Sequence, residues 1–158
     1  MMDYTITATK QFTFDCAHML SGHEGECKNL HGHTYQLFVT VARDGYYPLQ
    51  YEGADNGMVM DFKELKSIVQ ETILDEFDHA FICWKGGNDV ELALRALTKH
   101  HQLKVKDLDF RPTAENMALY IGQVLQVHFP YGLVLLRVKL YETSTSFAEY
   151  RIGGSSDG

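Results

Sequence analysis

The stretch HTYQLFVTVAR, residues 33–43, sets the fold class, because apolar and polar side chains alternate along it. That period of two is typical of a half-buried β-strand. The inward residues of the predicted strand are Tyr35, Leu37, Val39 and Val41. His31 and His33 fall in the same phase, so a strand that reaches back to His31 would point both imidazoles inward.

Three further segments, residues 4–14, 133–141 and 147–152, are rich in β-branched and aromatic residues and are predicted strands. In the segment 133–141 the residues expected to share the inward face are Val134, Leu136, Val138 and Leu140. The turn-rich stretch 44–57 predicts a loop, and the tail GGSSDG, residues 153–158, predicts a frayed end.

Helical periodicity fills the middle of the chain. Asp61 is the predicted N-cap of a helix that ends near Asp78–His79. Asn88 opens a shorter helix, and Thr113 opens a third. Strand runs before and after a block of helices predict an α+β fold. The expected architecture is an antiparallel four-stranded sheet with two main helices on one face.

Composition restricts the class of protein further. The 158 residues carry a net charge of −7, and 45% of them are hydrophobic. An acidic chain has no general attraction for phosphate backbones or anionic lipid, so nucleic-acid and membrane partners are not expected. Three sparse cysteines and the absence of a signal-peptide pattern predict a cytoplasmic protein. We expect one domain that spans residues 1–158.

Histidines are concentrated in FDCAHMLSGHEGECKNLHGHTY, residues 14–35. His31 and His33 can aim their ring nitrogens at one point, and His18 at the end of the neighbouring strand can add a third ligand. Three histidines leave one position of a zinc ion open to water or substrate, which is typical of catalytic sites. The alternative is that these histidines are half-buried, hydrogen-bonded residues at a strand end.

Cys27 lies in a polar stretch and allows three interpretations. As a fourth zinc ligand it would close the metal site and make that site structural. As a catalytic group it would be a base, because a nearby metal and a positive neighbour lower the pKa of a thiol. The third interpretation is a small apolar packing residue.

Two carboxylates supply candidate partners for these groups. Asp78 can orient His79 as an imidazole that exchanges protons with the thiol, although an Asp-His pair is ordinarily a helix-end feature. Glu142 continues the inward phase of the strand 133–141, where a carboxylate needs a partner. That partner is either a planar, amidine-like ligand edge or an ion pair within the protein. The residues interpreted as core or surface are Cys16, Cys83, His23, His100, His101 and His128.

Six segments together resemble the 6-pyruvoyltetrahydropterin synthase superfamily. They are FDCAH with His18, C-x3-H-G-H with Cys27, GMVMDF ending at Phe62, the Asp78–His79 pair, PTAEN at 112–116 and LYETSTSFAEY at 140–150. The spacing between Cys27 and His31 is similar to that of the 6-carboxytetrahydropterin synthases of the queuosine pathway. The resemblance implies a tunnelling fold whose subunits assemble into barrels. It also implies a homohexamer made of two trimers, with active sites at subunit interfaces.

The resemblance implies a reaction as well. The implied ligands of a Zn²⁺ cofactor are His18, His31 and His33, and the implied substrate is 7,8-dihydroneopterin triphosphate. Cys27 would act as the proton-transferring base, and His79, assisted by Asp78, would relay protons. Glu142 would anchor the guanidine-like edge of the pterin by paired hydrogen bonds. Loss of triphosphate and acetaldehyde would leave 6-carboxy-5,6,7,8-tetrahydropterin.

Other activities stay open at this level. They are the pyruvoyl-forming reaction of biopterin synthesis, non-catalytic binding of zinc or pterin, and a structural zinc module closed by Cys27. The stretches 44–57 and 84–110 depart from a minimal family member without touching the motifs. For the triphosphate, Lys28 and Arg43 are candidate ligands, and a solvated surface role is the preferred interpretation of both.

Overall fold

The computed structural model describes residues 6–43 and 49–152, which form one mixed sheet with helices packed against it. Its strands are β1 (Thr7–His18), β2 (His31–Arg43), β3 (Ala80–Trp84), β4 (Val105–Leu108), β5 (Leu133–Thr143) and β6 (Ser146–Arg151). Its helices are α1 (Phe62–Val69), α2 (Asp75–Phe77), α3 (Asp89–His100) and α4 (Ala114–Gln126). A π-helical turn (Gln70–Leu74) joins α1 to α2, and a 3-10 turn (Glu26–Lys28) precedes β2.

The strand order is β4-β3-β1-β2-β5-β6. The pairs β1–β2, β2–β5 and β5–β6 are antiparallel, whereas β3 lies parallel to both β1 and β4. The α+β class is confirmed, but the predicted four-stranded antiparallel sheet is wrong in its strand count, because β3 and β4 add a parallel edge. Ala80, Ile82 and Cys83 of β3 are all buried, so this strand shows no alternation that a sequence could reveal.

The helix starts agree with the predicted caps. The Asp61 carboxylate accepts a hydrogen bond from the backbone N–H of Lys63 at 2.8 Å. The side chains of Asn88 and Thr113 cap α3 and α4 in the same manner. The residues of α1 to α2 and of α4 that pack in the core are Leu65, Val69, Ile73, Phe77, Met117, Ile121 and Leu125. They cover the inward face of β1 and β2, including Phe14, Tyr35 and Leu37.

The predicted inward face of β5 is partly wrong. Leu135 pairs with Val41 and Arg137 pairs with Thr40, so Leu136 is the extra residue of a β-bulge. A bulge reverses the alternation on one side of itself. Leu135 is therefore buried, while Val134 and Leu136 stay partly exposed. Val138 and Leu140 lie in the core as predicted.

The connection between β2 and α1 is irregular over residues 49–61, as the turn-rich sequence predicts. Residues 44–48 of the predicted loop, the start of the predicted strand 4–14 and the predicted frayed tail at 153–158 lie outside the described residues. Within the described ranges, each helix is too short or too polar to cross a membrane.

Candidate functional site

Three histidines meet where β1 ends and β2 begins. His18 and His31 are direct cross-strand partners, and β2 places His33 on the same face two residues further on. The Nε2 atoms of His18 and His31 lie 3.1 Å apart. The ring centroids of the three pairs are separated by 4.5, 4.9 and 5.2 Å. Both predicted strands extend to these residues, which is what brings the rings together.

Backbone carbonyls orient two of the rings. Nδ1 of His18 donates to the carbonyl oxygen of Pro112 at 2.8 Å, and Nδ1 of His31 donates to that of Asn29 at 2.7 Å. Because a carbonyl oxygen only accepts, Nδ1 is the protonated nitrogen of each ring. In the neutral rings the two Nε2 lone pairs then face each other. A shared cation satisfies that arrangement, and such second partners are typical of metal-ligating histidines.

His33 and Glu142 complete a group of four donors. Nε2 of His33 is buried without a hydrogen bond of acceptable geometry, although Oε1 of Glu142 lies 3.1 Å away. One donor atom from each of His18, His31, His33 and Glu142 lies within 4.8 Å of the other three. A tetrahedral zinc ion bound at about 2.0–2.1 Å separates its nitrogen ligands by about 3.3 Å. The donor types and the observed spacing therefore fit a zinc-like ion.

Burial favours the neutral form of His18 and of His33. It lowers the pKa of His18 to about 4, and the hydrogen bond to Pro112 offsets only part of that effect. Burial also lowers the pKa of His33, against the opposing influence of the Glu142 carboxylate. A metal binds the neutral imidazole, so at neutral pH little free energy is spent in removing protons from these ligands.

Glu142 also faces a cleft beside the start of α4. Tyr141 pairs with Phe147 and Thr143 pairs with Ser146, which makes Glu142 the extra residue of a second bulge in β5. The cleft is lined by Leu20, Thr113, Ala114, Glu115, Glu142, Thr143, Ser146 and Phe147. Bulges next to functional sites commonly re-aim a side chain. Glu142 therefore lies between the histidine cluster and a cleft open to a ligand.

Tyr35 lies beneath the cluster and is one residue that the sequence analysis placed only in the core. Its side chain is fully buried, its ring packs at 5.5 Å from that of His33, and its hydroxyl has no hydrogen-bond partner within residues 6–43 and 49–152. Burial raises the pKa of Tyr35, so the hydroxyl is a permanent donor. Burial likewise raises the pKa of the neighbouring Cys16 thiol to about 12, which agrees with its interpretation as an inert core residue.

Cys27 is half-buried in the 3-10 turn that precedes β2. Its carbonyl oxygen accepts a hydrogen bond from the Leu20 N–H at 2.9 Å, which closes the loop between His18 and His31. The fourth donor close to the three histidines is a Glu142 oxygen, and the Cys27 sulfur is not part of that group. The structural zinc module closed by Cys27 therefore has no support in this geometry.

Asp78 and His79 form a separate cluster with Asp15. Oδ1 of Asp78 accepts a hydrogen bond from the Asp15 N–H at 3.0 Å and lies 3.0 Å from Nδ1 of His79. Burial alone would raise the pKa of Asp78, but these two contacts hold it below its usual value. Asp15 alternates to the face of β1 opposite Cys16 and His18. Within one chain, this pair and the histidine cluster are therefore on different faces of the sheet.

His79 has a backbone φ of 60°, in the left-handed region that non-glycine residues rarely adopt. Its N–H donates to the Asp15 carbonyl at 2.6 Å, which holds the exposed ring at the edge of the sheet. Such conformations are concentrated at functional sites. His79 directly follows the C-cap of α2, where a left-handed residue commonly ends a helix, so its conformation fits the helix-end interpretation as well as a functional one.

The remaining candidates lie outside the cluster. Arg43 donates to the Val59 carbonyl at 2.9 Å and stacks on Tyr51, while Lys28 is exposed. The carbonyl groups of Asn29 and Pro112, which orient the rings, carry no side-chain signal and could not have been found from sequence. The other histidines and cysteines, at 16, 23, 83, 100, 101 and 128, are absent from the donor groups found among the described residues.

Comparison with known proteins identifies relatives that align with most of this chain. The chain is 43% identical over 143 residues to a 6-carboxy-5,6,7,8-tetrahydropterin synthase of Haemophilus influenzae, covering 90% of this chain and 96% of that one. It is 33% identical over 129 residues to a 6-pyruvoyl tetrahydrobiopterin synthase of Pongo abelii, covering 80% of this chain and 71% of that one.

A solved structure shares the fold. The 6-pyruvoyl tetrahydropterin synthase of Caenorhabditis elegans superposes with a TM-score of 0.62 at 23% identity, over 95% of this chain and 97% of that one. The sequence profile of the family described as 6-pyruvoyl tetrahydropterin synthase matches residues 7–153, which include every residue of both clusters. The chain therefore belongs to the 6-pyruvoyl tetrahydropterin synthase family.

Proposed function

We propose that this chain is a zinc-dependent 6-carboxy-5,6,7,8-tetrahydropterin synthase. It would convert 7,8-dihydroneopterin triphosphate and water into 6-carboxy-5,6,7,8-tetrahydropterin, acetaldehyde and triphosphate. The observation that carries the proposal is the convergence of three imidazoles and Glu142 in a chain that is 43% identical to the Haemophilus influenzae synthase. Three nitrogen ligands with one exchangeable position are typical of catalytic zinc.

His18, His31 and His33 are the proposed zinc ligands. Zinc bound there would supply Lewis-acid chemistry that acidifies the protons of the hydroxylated substrate side chain. The chain itself holds the rings in the binding tautomer through the carbonyls of Pro112 and Asn29. Its buried surroundings, with Tyr35 beneath, limit water at the reacting carbons.

Glu142 is the proposed anchor of the pterin. Its carboxylate borders both the histidine cluster and the cleft beside α4, so a pterin in that cleft could offer two N–H donors to it. The 3.1 Å contact with His33 supports a role in orientation, because a metal that engages His33 would leave Glu142 free to accept from the ligand.

Cys27 is the proposed base, and Asp78 with His79 the proposed proton relay. The support for Cys27 is its position in the loop that links two zinc ligands, together with its partial exposure. Asp78 holds the ring of His79, which is exposed on the other face of the sheet. A relay on that face could reach the substrate of a neighbouring copy, so we propose active sites at subunit interfaces of a homohexamer made of two trimers.

The setting of the reaction is part of the proposal. We propose a single domain over residues 1–158 in the cytoplasm, which the sparse cysteines support, and a place in queuosine biosynthesis, which the spacing between Cys27 and His31 supports. The partner is the pterin triphosphate, and neither nucleic acid nor membrane is expected as one.

A product assay with mass detection tests the proposal. Purified protein with zinc is incubated with 7,8-dihydroneopterin triphosphate, and the carboxy product and acetaldehyde are both measured. Accumulation of both supports the proposal, and Cys27→Ala should abolish it. An active Cys27→Ala variant would remove Cys27 as the base without removing the reaction class.

The second candidate is the pyruvoyl-forming reaction, favoured by the 33% identity to the Pongo abelii enzyme. That reaction leaves a product with two more carbons and forms no acetaldehyde, so the same assay separates the two. Binding of zinc and pterin without any product would instead indicate a non-catalytic protein.

A further inference from the structure

We propose that Arg111 is the residue that holds the triphosphate of the substrate, an inference that rests on the proposed function. The positive charge of Arg111 would offset an unfavourable electrostatic interaction between the chain and its substrate. A chain of net charge −7 repels a polyphosphate, so a local cation must bind the phosphate oxygens. Arginine suits that task because its planar fork matches phosphate geometry in two parallel hydrogen bonds.

Arg111 differs from Arg95, Arg137 and Arg151 in having no carboxylate partner among the described residues. Arg95 pairs with Asp107, while Arg137 and Arg151 both pair with Glu149. Across residues 6–43 and 49–152, Arg111 has no carboxylate partner, and its buried Nε has no acceptor. Its one side-chain contact is from NH2 to the Leu20 carbonyl, at 3.5 Å. A half-buried cation left unsatisfied in this way is suited to an anionic ligand.

Hydrogen bonds hold the backbone of Arg111 in place, although its guanidinium has no carboxylate partner among the described residues. Its carbonyl oxygen accepts hydrogen bonds from the Thr113 N–H at 2.8 Å and from Nδ2 of Asn116 at 3.0 Å. The start of α4 therefore rigidly holds the residue whose side chain reaches Leu20. A fixed backbone lowers the entropy lost when the guanidinium engages a ligand.

The position of Arg111 beside the proposed active site supports the same role. The residue after Arg111 is Pro112, whose carbonyl orients His18, and Leu20 lines the same cleft that Glu142 faces. A pterin held at Glu142, with its side chain at the histidines, would direct its phosphate chain toward this wall of the cleft. The nearby start of α4 adds a favourable potential for anions. Glu115 on the same cleft opposes it and is the charge that Arg111 must outweigh.

The test compares two ligands that differ only in the phosphates, 7,8-dihydroneopterin triphosphate and 7,8-dihydroneopterin. Binding of each to the full-length zinc-loaded protein is measured in the Cys27→Ala background, where no turnover is expected, with Arg111 intact and with Arg111→Gln or Arg111→Lys added. We expect Arg111→Gln to weaken the triphosphate ligand about 10- to 100-fold, the range for a lost hydrogen bond to a charged group. Binding of dihydroneopterin should change less than about twofold. Arg111→Lys should recover part of the loss, because it restores the charge without the fork.

Lys66→Gln is the matched control, since Lys66 is exposed on α1 and its replacement changes the net charge by the same amount. If Arg111→Gln weakened the binding of both ligands equally, or of neither, the proposed role of Arg111 would be overturned. Binding of inorganic triphosphate is also measured, with the metal content monitored. This measurement distinguishes failure of the Arg111 proposal from failure of the proposed enzymatic function. If the wild type forms no pterin product yet binds inorganic triphosphate through Arg111, the function fails and the anion site stands. If product forms and Arg111→Gln binds inorganic triphosphate as the wild type does, the anion site fails alone.

Discussion

The orientation of two imidazoles at the histidine cluster, those of His18 and His31, depends on a single backbone carbonyl each. Pro112 lies in the segment before α4 and Asn29 in the turn before β2, so two separate parts of the chain select the tautomer of His18 and His31. Among the described residues, the ring of His33 makes its polar contact with Glu142. The geometry at this scale therefore favours metal binding before any ion is present, since the carbonyls turn Nε2 of His18 and of His31 toward a shared point.

Replacing His31 with alanine should remove most of the zinc affinity. We expect a loss of more than about 100-fold, because changes to outer partners of metal ligands alone cost about 10- to 100-fold. Zinc content after dialysis and a competition titration with a chromogenic chelator measure it. His128→Ala is the control, because His128 is exposed and its ring bonds to the Val124 carbonyl of the preceding helix rather than to the histidine cluster. Unchanged zinc affinity in His31→Ala would contradict the proposed ligand set.

The pH dependence of stability should reveal the buried neutral state of His18. Its pKa lies near 6.5 when unfolded and at about 4 in the fold, so the unfolded chain binds the additional proton between those values. The free energy of unfolding of the zinc-free protein should therefore fall as pH drops from about 6.5 to about 4, by at most about 3 kcal/mol. Urea unfolding in EDTA at several pH values measures this, and His18→Asn should flatten the profile. If the free energy of unfolding of His18→Asn fell with pH as steeply as that of the wild type, other titratable groups would be responsible for the pH dependence.

Two β-bulges in β5 illustrate how the pairing of whole strands, rather than single residues, orients side chains at the site. The bulge at Leu136 reverses which side chains enter the core, and the bulge at Glu142 turns a carboxylate toward the histidines and the cleft. Alternation predicted Glu142 on the correct face and Leu136 on the wrong one. Pairing with β2 and β6 decides where an extra residue is inserted, so the sequence of β5 alone could not show it.

The packing of α4 on β6 depends on Gly122. A Cβ at that position would lie 2.2 Å from Cδ1 of Tyr150. Helix propensity alone would make Gly122→Ala stabilising by about 1 kcal/mol. We expect overpacking to outweigh it, with a net loss of about 1–2 kcal/mol in the free energy of unfolding by chemical denaturation.

A double-mutant cycle isolates that contact. In a Tyr150→Ala background the steric conflict is absent, so Gly122→Ala should become neutral or stabilising there. A stabilising effect of Gly122→Ala in the wild-type background would show that the helix and strand can separate without cost.

At the scale of the whole molecule, the chain carries two side-chain clusters on opposite faces of its sheet, which are the two half-sites of the proposed active site. The histidine cluster with Glu142 lies on the face covered by the helices, and Asp78 with His79 lies beside Asp15 on the other. Arrangement of several copies around a closed ring would bring unlike faces and edges together. The proposed hexamer would thus be needed for chemistry as well as for stability.

Subunit complementation tests this arrangement. His33→Ala and His79→Ala should each be inactive alone. Dissociated, mixed in equal amounts and reassembled, they should recover about a quarter of the wild-type rate, because half of the metal half-sites and half of the relays are intact and they combine at random. Wild-type protein carried through the same reassembly is the control. No recovery in the mixture would indicate that both half-sites act within one chain or that His79 has no part in the reaction.

Sequence periodicity alone was enough to predict the α+β class, the inward phase of His31, His33 and Glu142, and the three helix caps, because each depends on neighbours within a few residues. The short buried strands β3 and β4, the bulges and the carbonyls that orient His18 and His31 depend on contacts between distant segments. Tertiary structure also decided that Asp78–His79 lies apart from the histidines and that Nε of Arg111 has no acceptor in the described part of the chain. Local patterns specify which face a side chain takes, whereas only packing specifies what it meets there.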